Sequence, residues 1–156
     1  MALNAKKIPA AGGGNRTKQA PLDPGTYPAR VVQILDLGLQ NQREFQGKEK
    51  APAYELNITY ELLDEFMKGE DGKDQLDKPR WISERIAVYN LKQDKAKSTK
   101  RYYALDPKEE FGGDFGQLVN IPCMVTITQT PKGDFVYNNV AAVTGMRERD
   151  AAKAEE

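Results

Sequence analysis

The stretch YELNITYELL (residues 54–63) sets an apolar residue at every second position, Tyr54, Leu56, Ile58, Tyr60 and Leu62 alternating with Glu55, Asn57, Thr59 and Glu61. A period of two sends successive side chains to opposite faces of a strand, so the segment predicts a half-buried β-strand with one core face and one wet face. Upstream, GTYPARVVQILDLGL (25–39) is rich in β-formers, and Gly38 near its end predicts a bend or bulge in a long first strand. The polar run QNQREFQGKEKAP (40–52) joins the two as a loop.

Downstream, DEFMKGEDGKDQLD (64–77) reads as an acidic, glycine-containing connection, and RWISERIAVYN (80–90) as a third strand. Its two alternating sets are Ile82, Glu84, Ile86 and Val88, which carry the branched aliphatics and form the better core face, and Trp81, Arg85 and Tyr89, which project together from the other. A short helix follows, capped by Ser98 or Asp94, running to about Leu105 and stopped by Asp106 and Pro107. Tyr102 or Tyr103, with Leu105, is expected to plug the bottom of the core, and the lysines around them to form a solvated face. NIPCMVTITQ (120–129) and FVYNNVAAVT (135–144), joined by TPKGD, predict a closing hairpin.

Three strands, a helix and a hairpin between residues 25 and 146 match the OB-fold, a five-stranded Greek-key barrel with one helix between strands 3 and 4. Another small barrel or an open β-sandwich is the next reading. Residues 1–24, with Lys6, Lys7, Arg16 and Lys18 among Ala, Gly and Pro, are expected to be a flexible basic arm. Residues 147–156 are expected to be a disordered or frayed helical tail.

The chain has 156 residues, one domain's length. It has no histidine and a single cysteine, which excludes a histidine-based triad, a His-liganded metal, a Cys-only zinc site and an intramolecular disulfide. Cys123, inside the apolar run IPCMVTI, reads as a small core hydrophobe. No apolar run approaches the ~18 residues of a membrane span, so a cytoplasmic protein without membrane contact is expected. Formal net charge is zero, yet basic and acidic blocks are segregated along the chain, which allows a basic face for an anionic partner.

On an OB barrel the ligand surface is the outer face of strands 2 and 3 with the loops between strands 1 and 2 and strands 4 and 5. Those places hold Trp81, Arg85 and Tyr89 on strand 3, Arg43, Phe45, Lys48 and Lys50 in the first loop, and Lys132, Phe135 and Tyr137 in the last hairpin. The face that Phe135 and Tyr137 occupy is left open by the pattern. Aromatic rings stack on unpaired bases while cations neutralise phosphates, and neither term reads sequence. The acidic run 64–77 lacks the spacing of an EF-hand and reads as a solvated loop, so neither metal nor cofactor is expected. Glu55 and Glu61 are too few for a carboxylate-lined catalytic barrel, so no enzymatic activity is expected.

Through GTYPARVVQILDLG, WISERIAVYNL, the helix and GQLVNIPCMVTITQTPKGDFVYNNVAAVTGM, the chain resembles small OB-fold single-stranded DNA-binding proteins of tailed bacteriophages. The resemblance implies a protein that coats and protects single-stranded DNA during phage replication or recombination in the bacterial cytoplasm, with replication or recombination proteins as partners. Many such proteins end in a strongly acidic tail closed by an aromatic residue. This chain ends RERDAAKAEE, mixed in charge and without an aromatic, and departs from that pattern. Because fold alone does not give function, an OB-fold protein-interaction or virion structural module without nucleic-acid binding is the alternative class.

Overall fold

Alternation at residues 54–63 becomes an interior strand of an antiparallel sheet. The computed structural model describes residues 19–44 and 46–154. Five strands, β1 (Gly25–Gln40), β2 (Ala53–Lys68), β3 (Asp74–Val88), β4 (Pro122–Lys132) and β5 (Phe135–Gly145), hydrogen-bond in the order β3-β2-β1-β4-β5. Helix α1 (Lys97–Leu105) lies between β3 and β4, and α2 (Glu148–Ala154) follows β5. The protein is therefore mainly β.

Long β1 serves two partners. Its first residues, Gly25 to Arg30, pair with β4, while Ala29 to Gln40 pair with β2. The β1–β2 register slips between Val31 and Gln33 and again between Asp36 and Gly38. Gly38 sits at φ 70°, a conformation open to glycine, and its N–H donates to Asp36 Oδ1 at 2.8 Å, which is the bulge expected there.

Ile58, Tyr60 and Leu62 of β2 are buried with Val31, Ile82, Ile86, Val125 and Ile127, in a core that also takes Tyr102, Leu105 and Leu118. Tyr102, not Tyr103, is the fully buried tyrosine of the helix, and Phe115 meets its ring edge-on with centroids 5.2 Å apart. Cys123 is fully buried, and burial pushes its thiol up to about 12, so it stays protonated and inert as expected of a core residue.

Three expectations about strands and helix need correction. Tyr54, assigned to the core face, is 62% exposed, because it stands at the end of β2 opposite Leu39 and Val88, where the core has run out. The run 64–77 is not a loop: β2 continues to Lys68 and β3 begins at Asp74, so the connection is an extended hairpin turning at Gly69–Lys73. Two of its carboxylates are engaged locally, Lys68 Nζ meeting Asp74 Oδ1 at 2.7 Å and the Lys73 N–H donating to Asp71 Oδ1 at 3.0 Å. Neither Ser98 nor Asp94 caps α1. Ala96 is the N-cap, and buried Ser98 accepts a hydrogen bond from the Tyr89 N–H at 3.0 Å. Arg101 of α1, a cation whose orientation the sequence left open, is buried.

Arg101 marks where the sheet stays open. The sheet order ends at β3 on one side and β5 on the other, with no ladder joining them among the described residues. Helix α1 packs against both strands. From it, Arg101 Nε donates to both oxygens of Glu84 on β3 at 2.9 and 3.1 Å, and Nη2 donates to the Val140 carbonyl on β5 at 3.3 Å. This guanidinium satisfies the one carboxylate that the β3 alternation sends to the core face. Beside it the Tyr60 hydroxyl is buried without a well-formed hydrogen bond, and burial, then the charge of Glu84, raises its pKa.

Residues 19–24, placed by the sequence in the flexible arm, are tied to the sheet. Gln19 exchanges two hydrogen bonds with the Lys68 backbone, and the Ala20 carbonyl accepts from Arg80 Nη1 at 2.7 Å. Leu22 is buried, its N–H donating to Asn138 Oδ1 and its carbonyl accepting from Gln129 and Asn138. The segment thus straps the β2–β3 hairpin to the β4–β5 hairpin. No helix among the described residues is long and apolar enough to cross a membrane.

Candidate functional site

The wet face of the sheet is built in rows. Register places Trp81 of β3 beside Glu61 of β2 and Arg30 of β1, then Ser83 beside Thr59 and Gln33, then Arg85 beside Asn57 and Leu35, then Ala87 beside Glu55 and Gly38. Each row lies on the face opposite Ile58, Tyr60, Ile82 and Ile86, because side chains alternate along a strand. The rows are tied laterally by the Arg30–Glu61 ion pair at 3.3 Å and by the hydroxyls of Thr59 and Ser83 at 2.8 Å. At the first row the Trp81 indole is 60% exposed.

Arg85 reaches diagonally to Glu55, Nε to Oε1 at 2.6 Å and Nη2 to Oε2 at 3.2 Å, a bidentate pair between same-face neighbours. Gln42 Nε2 adds a long contact to Glu55 Oε2 at 3.4 Å. The Arg85 hydrogen bond, with its charge, outweighs desolvation and holds the Glu55 carboxyl below its ordinary range. Around this pair the β1–β2 loop closes a polar hollow of about 510 Å³, where Arg43, Lys50 and Arg85 face Glu44 and Glu55. With three cations against two carboxylates, the hollow is suited to a polar or anionic group rather than to an apolar ligand.

The β4–β5 hairpin forms a second group. It turns at Gly133–Asp134, with Lys132 paired to Phe135 and Thr130 to Tyr137. Val140 is buried and Asn138 bonds to Leu22, so Phe135 and Tyr137 occupy the opposite, wet face. Their rings lie 6.5 Å apart, and both are more than half exposed.

Of the residues expected from the sequence, Trp81 and Arg85 thus share the wet face, and Arg43 joins Arg85 in the hollow. Lys48 is exposed in the same loop but does not line it. Tyr89 follows the last residue of β3 with an exposed ring. Lys132, Phe135 and Tyr137 gather on the β4–β5 hairpin, at the other end of the strand order from β3. Phe45 lies outside the described residues.

Two participants escaped the sequence reading. Glu55 was one wet-face residue among several, and its partnership with Arg85 follows only from the β2–β3 register. Tyr54 was assigned to the core by alternation. Its ring borders a hollow of about 330 Å³ lined by Ile34, Leu56, Val88 and Phe115 together with the carboxylates of Asp36, Glu55 and Asp114. Among the described residues no three carboxylates or thiols converge as a metal site. No protein family, curated protein or solved structure matches the chain.

Proposed function

We propose that this chain is a non-enzymatic binder of single-stranded DNA, largely indifferent to sequence, which protects single strands during phage replication or recombination in a bacterial cytoplasm. The observation that carries the reading is the exposed Trp81 indole on a face that also presents Arg85 and, through the adjoining loop, Arg43 and Lys50. A flat ring offers a stacking surface to any base, worth ~1–3 kcal/mol each, and the cations meet phosphates. Phe135 and Tyr137 on the β4–β5 hairpin extend the same chemistry.

The fold belongs to this reading. With the strand order β3-β2-β1-β4-β5 and a helix between β3 and β4, approach of β3 to β5 gives the Greek-key barrel of an OB-fold, which is commonly left partly open. Its ligand face is the outer side of β2 and β3, flanked by the β1–β2 and β4–β5 loops, where these side chains stand. Replication or recombination proteins would be its partners.

A protein-interaction or virion structural role has its own support in Leu39 and Tyr54, paired neighbours that are both more than half exposed. Titration of oligothymidine against the fluorescence of Trp81, the only tryptophan, separates the two. Quenching that weakens as salt rises is expected. Neither quenching nor a mobility shift at low salt would leave the interaction module as the better reading.

A further inference from the structure

We infer that Glu55 is a built-in competitor for the phosphate-binding guanidinium of Arg85, so that engaging a strand exchanges a carboxylate for a phosphodiester. The inference rests on the nucleic-acid reading above. Arg85 is the outer member of the pair, its side chain 55% exposed against 12% for Glu55. The edge that Glu55 occupies, Nε with Nη2, is a fork that matches a phosphate bidentately as well as a carboxylate. A phosphate arriving in the hollow therefore meets a guanidinium whose fork is already taken. It also meets the Glu55 charge, which lies well within one Debye length of Arg85.

Arg43 and Lys50 on the same hollow let an incoming phosphodiester gain contacts as Arg85 turns from its carboxylate. Gln42 bonds Glu55 at 3.4 Å and stands ready to take up the released carboxylate. The consequence is tempered affinity: each bound strand segment faces a carboxylate that recaptures Arg85 when the phosphate leaves. Such a device suits a protein that must coat single strands and also be displaced from them.

The test compares wild type, Glu55→Gln, Arg85→Ala and the double variant for binding to labelled oligothymidine across a salt series, with circular dichroism melts to establish folding. The amide keeps the size of Glu55 and removes its charge. Glu55→Gln is expected to bind about three- to tenfold more tightly at low salt, because Arg85 then has no carboxylate to give up before it meets the phosphate. The gain should vanish in the Arg85→Ala background. Weaker or unchanged binding by Glu55→Gln would make Glu55 a positioning residue for Arg85 and overturn the inference. A gain that persists without Arg85 would reduce it to bulk charge and overturn it equally. Failure of the wild type itself to bind removes the nucleic-acid reading as well, whereas the first two outcomes leave that reading intact.

Discussion

An indole that is 60% exposed on a strand forgoes most of the burial that makes tryptophan stabilising, so Trp81 contributes little to the fold and much to whatever covers it. Replacing Trp81 by alanine is expected to weaken oligothymidine binding about 5- to 150-fold, the equivalent of ~1–3 kcal/mol of stacking, while leaving the melting temperature nearly unchanged. Fluorescence anisotropy of a labelled oligonucleotide reads the first quantity and a thermal melt the second. Asp106 is the converse case, a polar residue turned inward. Its burial favours the neutral acid, but the Tyr102 hydroxyl at 2.7 Å and the Phe111 and Glu110 N–H groups together hold its pKa below the ordinary 3.8. A depressed folded value means that the unfolded chain takes up the proton more readily. The stabilisation is full above the ordinary carboxylate value and is lost as pH falls through the lower folded one. Asp106→Asn should accordingly be less stable near neutrality, and its urea midpoint should fall less steeply than that of wild type between about pH 5 and pH 2. Parallel acid limbs for the two proteins would contradict this role. At this scale Trp81 was legible, because alternation alone sets it opposite Ile82, whereas Asp106 read only as a helix stop.

Helix α1 and the 19–24 strap show what single elements do for the whole. Arg101 and Glu84 are nearly inaccessible, at 4% and 7% side-chain exposure, and join α1 to β3 while the same guanidinium reaches β5. Removing one member of such a pair leaves a buried, uncompensated charge, at a cost of about 3–5 kcal/mol. Urea denaturation of Arg101→Met should show that loss, and Arg101→Met combined with Glu84→Leu should recover much of it. A double variant as unstable as the single one would mean that the helix needs the ion pair itself. The strap gives a second measurement: Leu22→Ala is expected to destabilise the domain by about 2–5 kcal/mol, the usual range for a buried leucine. A shift within a few tenths of a kcal/mol would mean that residues 19–24 merely rest on the surface. The inward contact of neither element was readable beforehand. A nine-residue helix that carries Lys97, Lys100 and Arg101 does not reveal which cation turns inward until its position over β3 and β5 is known. Leu22 sits among Ala, Pro and Asp without periodicity, so nothing local distinguishes it from an arm residue.

At the scale of the molecule, the strand order sets the candidate surface at two places, the β2–β3 face with the β1–β2 loop, and the β4–β5 hairpin. If one strand of nucleic acid spans both, Tyr137→Ala should weaken binding on its own. Its effect should then add to that of Trp81→Ala within about 0.5 kcal/mol, as for independent contacts. A Tyr137→Ala protein that binds like wild type would confine the interface to β3 and its neighbouring loop. Both variants are to be compared at the same salt concentration, because the phosphate contribution changes with it.

What the sequence determined by itself was the set of strands, the helix between the third and fourth, the glycine bulge at Gly38 and the wet-face placement of Trp81 and Arg85. All of these follow from local alternation and backbone preference, which each segment carries within itself. Only the tertiary structure decided that the acidic run is a hairpin, that Tyr54 is exposed, that Arg101 is buried across the open edge, that Leu22 is core, and that Arg85 is held by Glu55. Each of these depends on which residues of distant segments face one another. Register and packing set that relation, and no single segment encodes it.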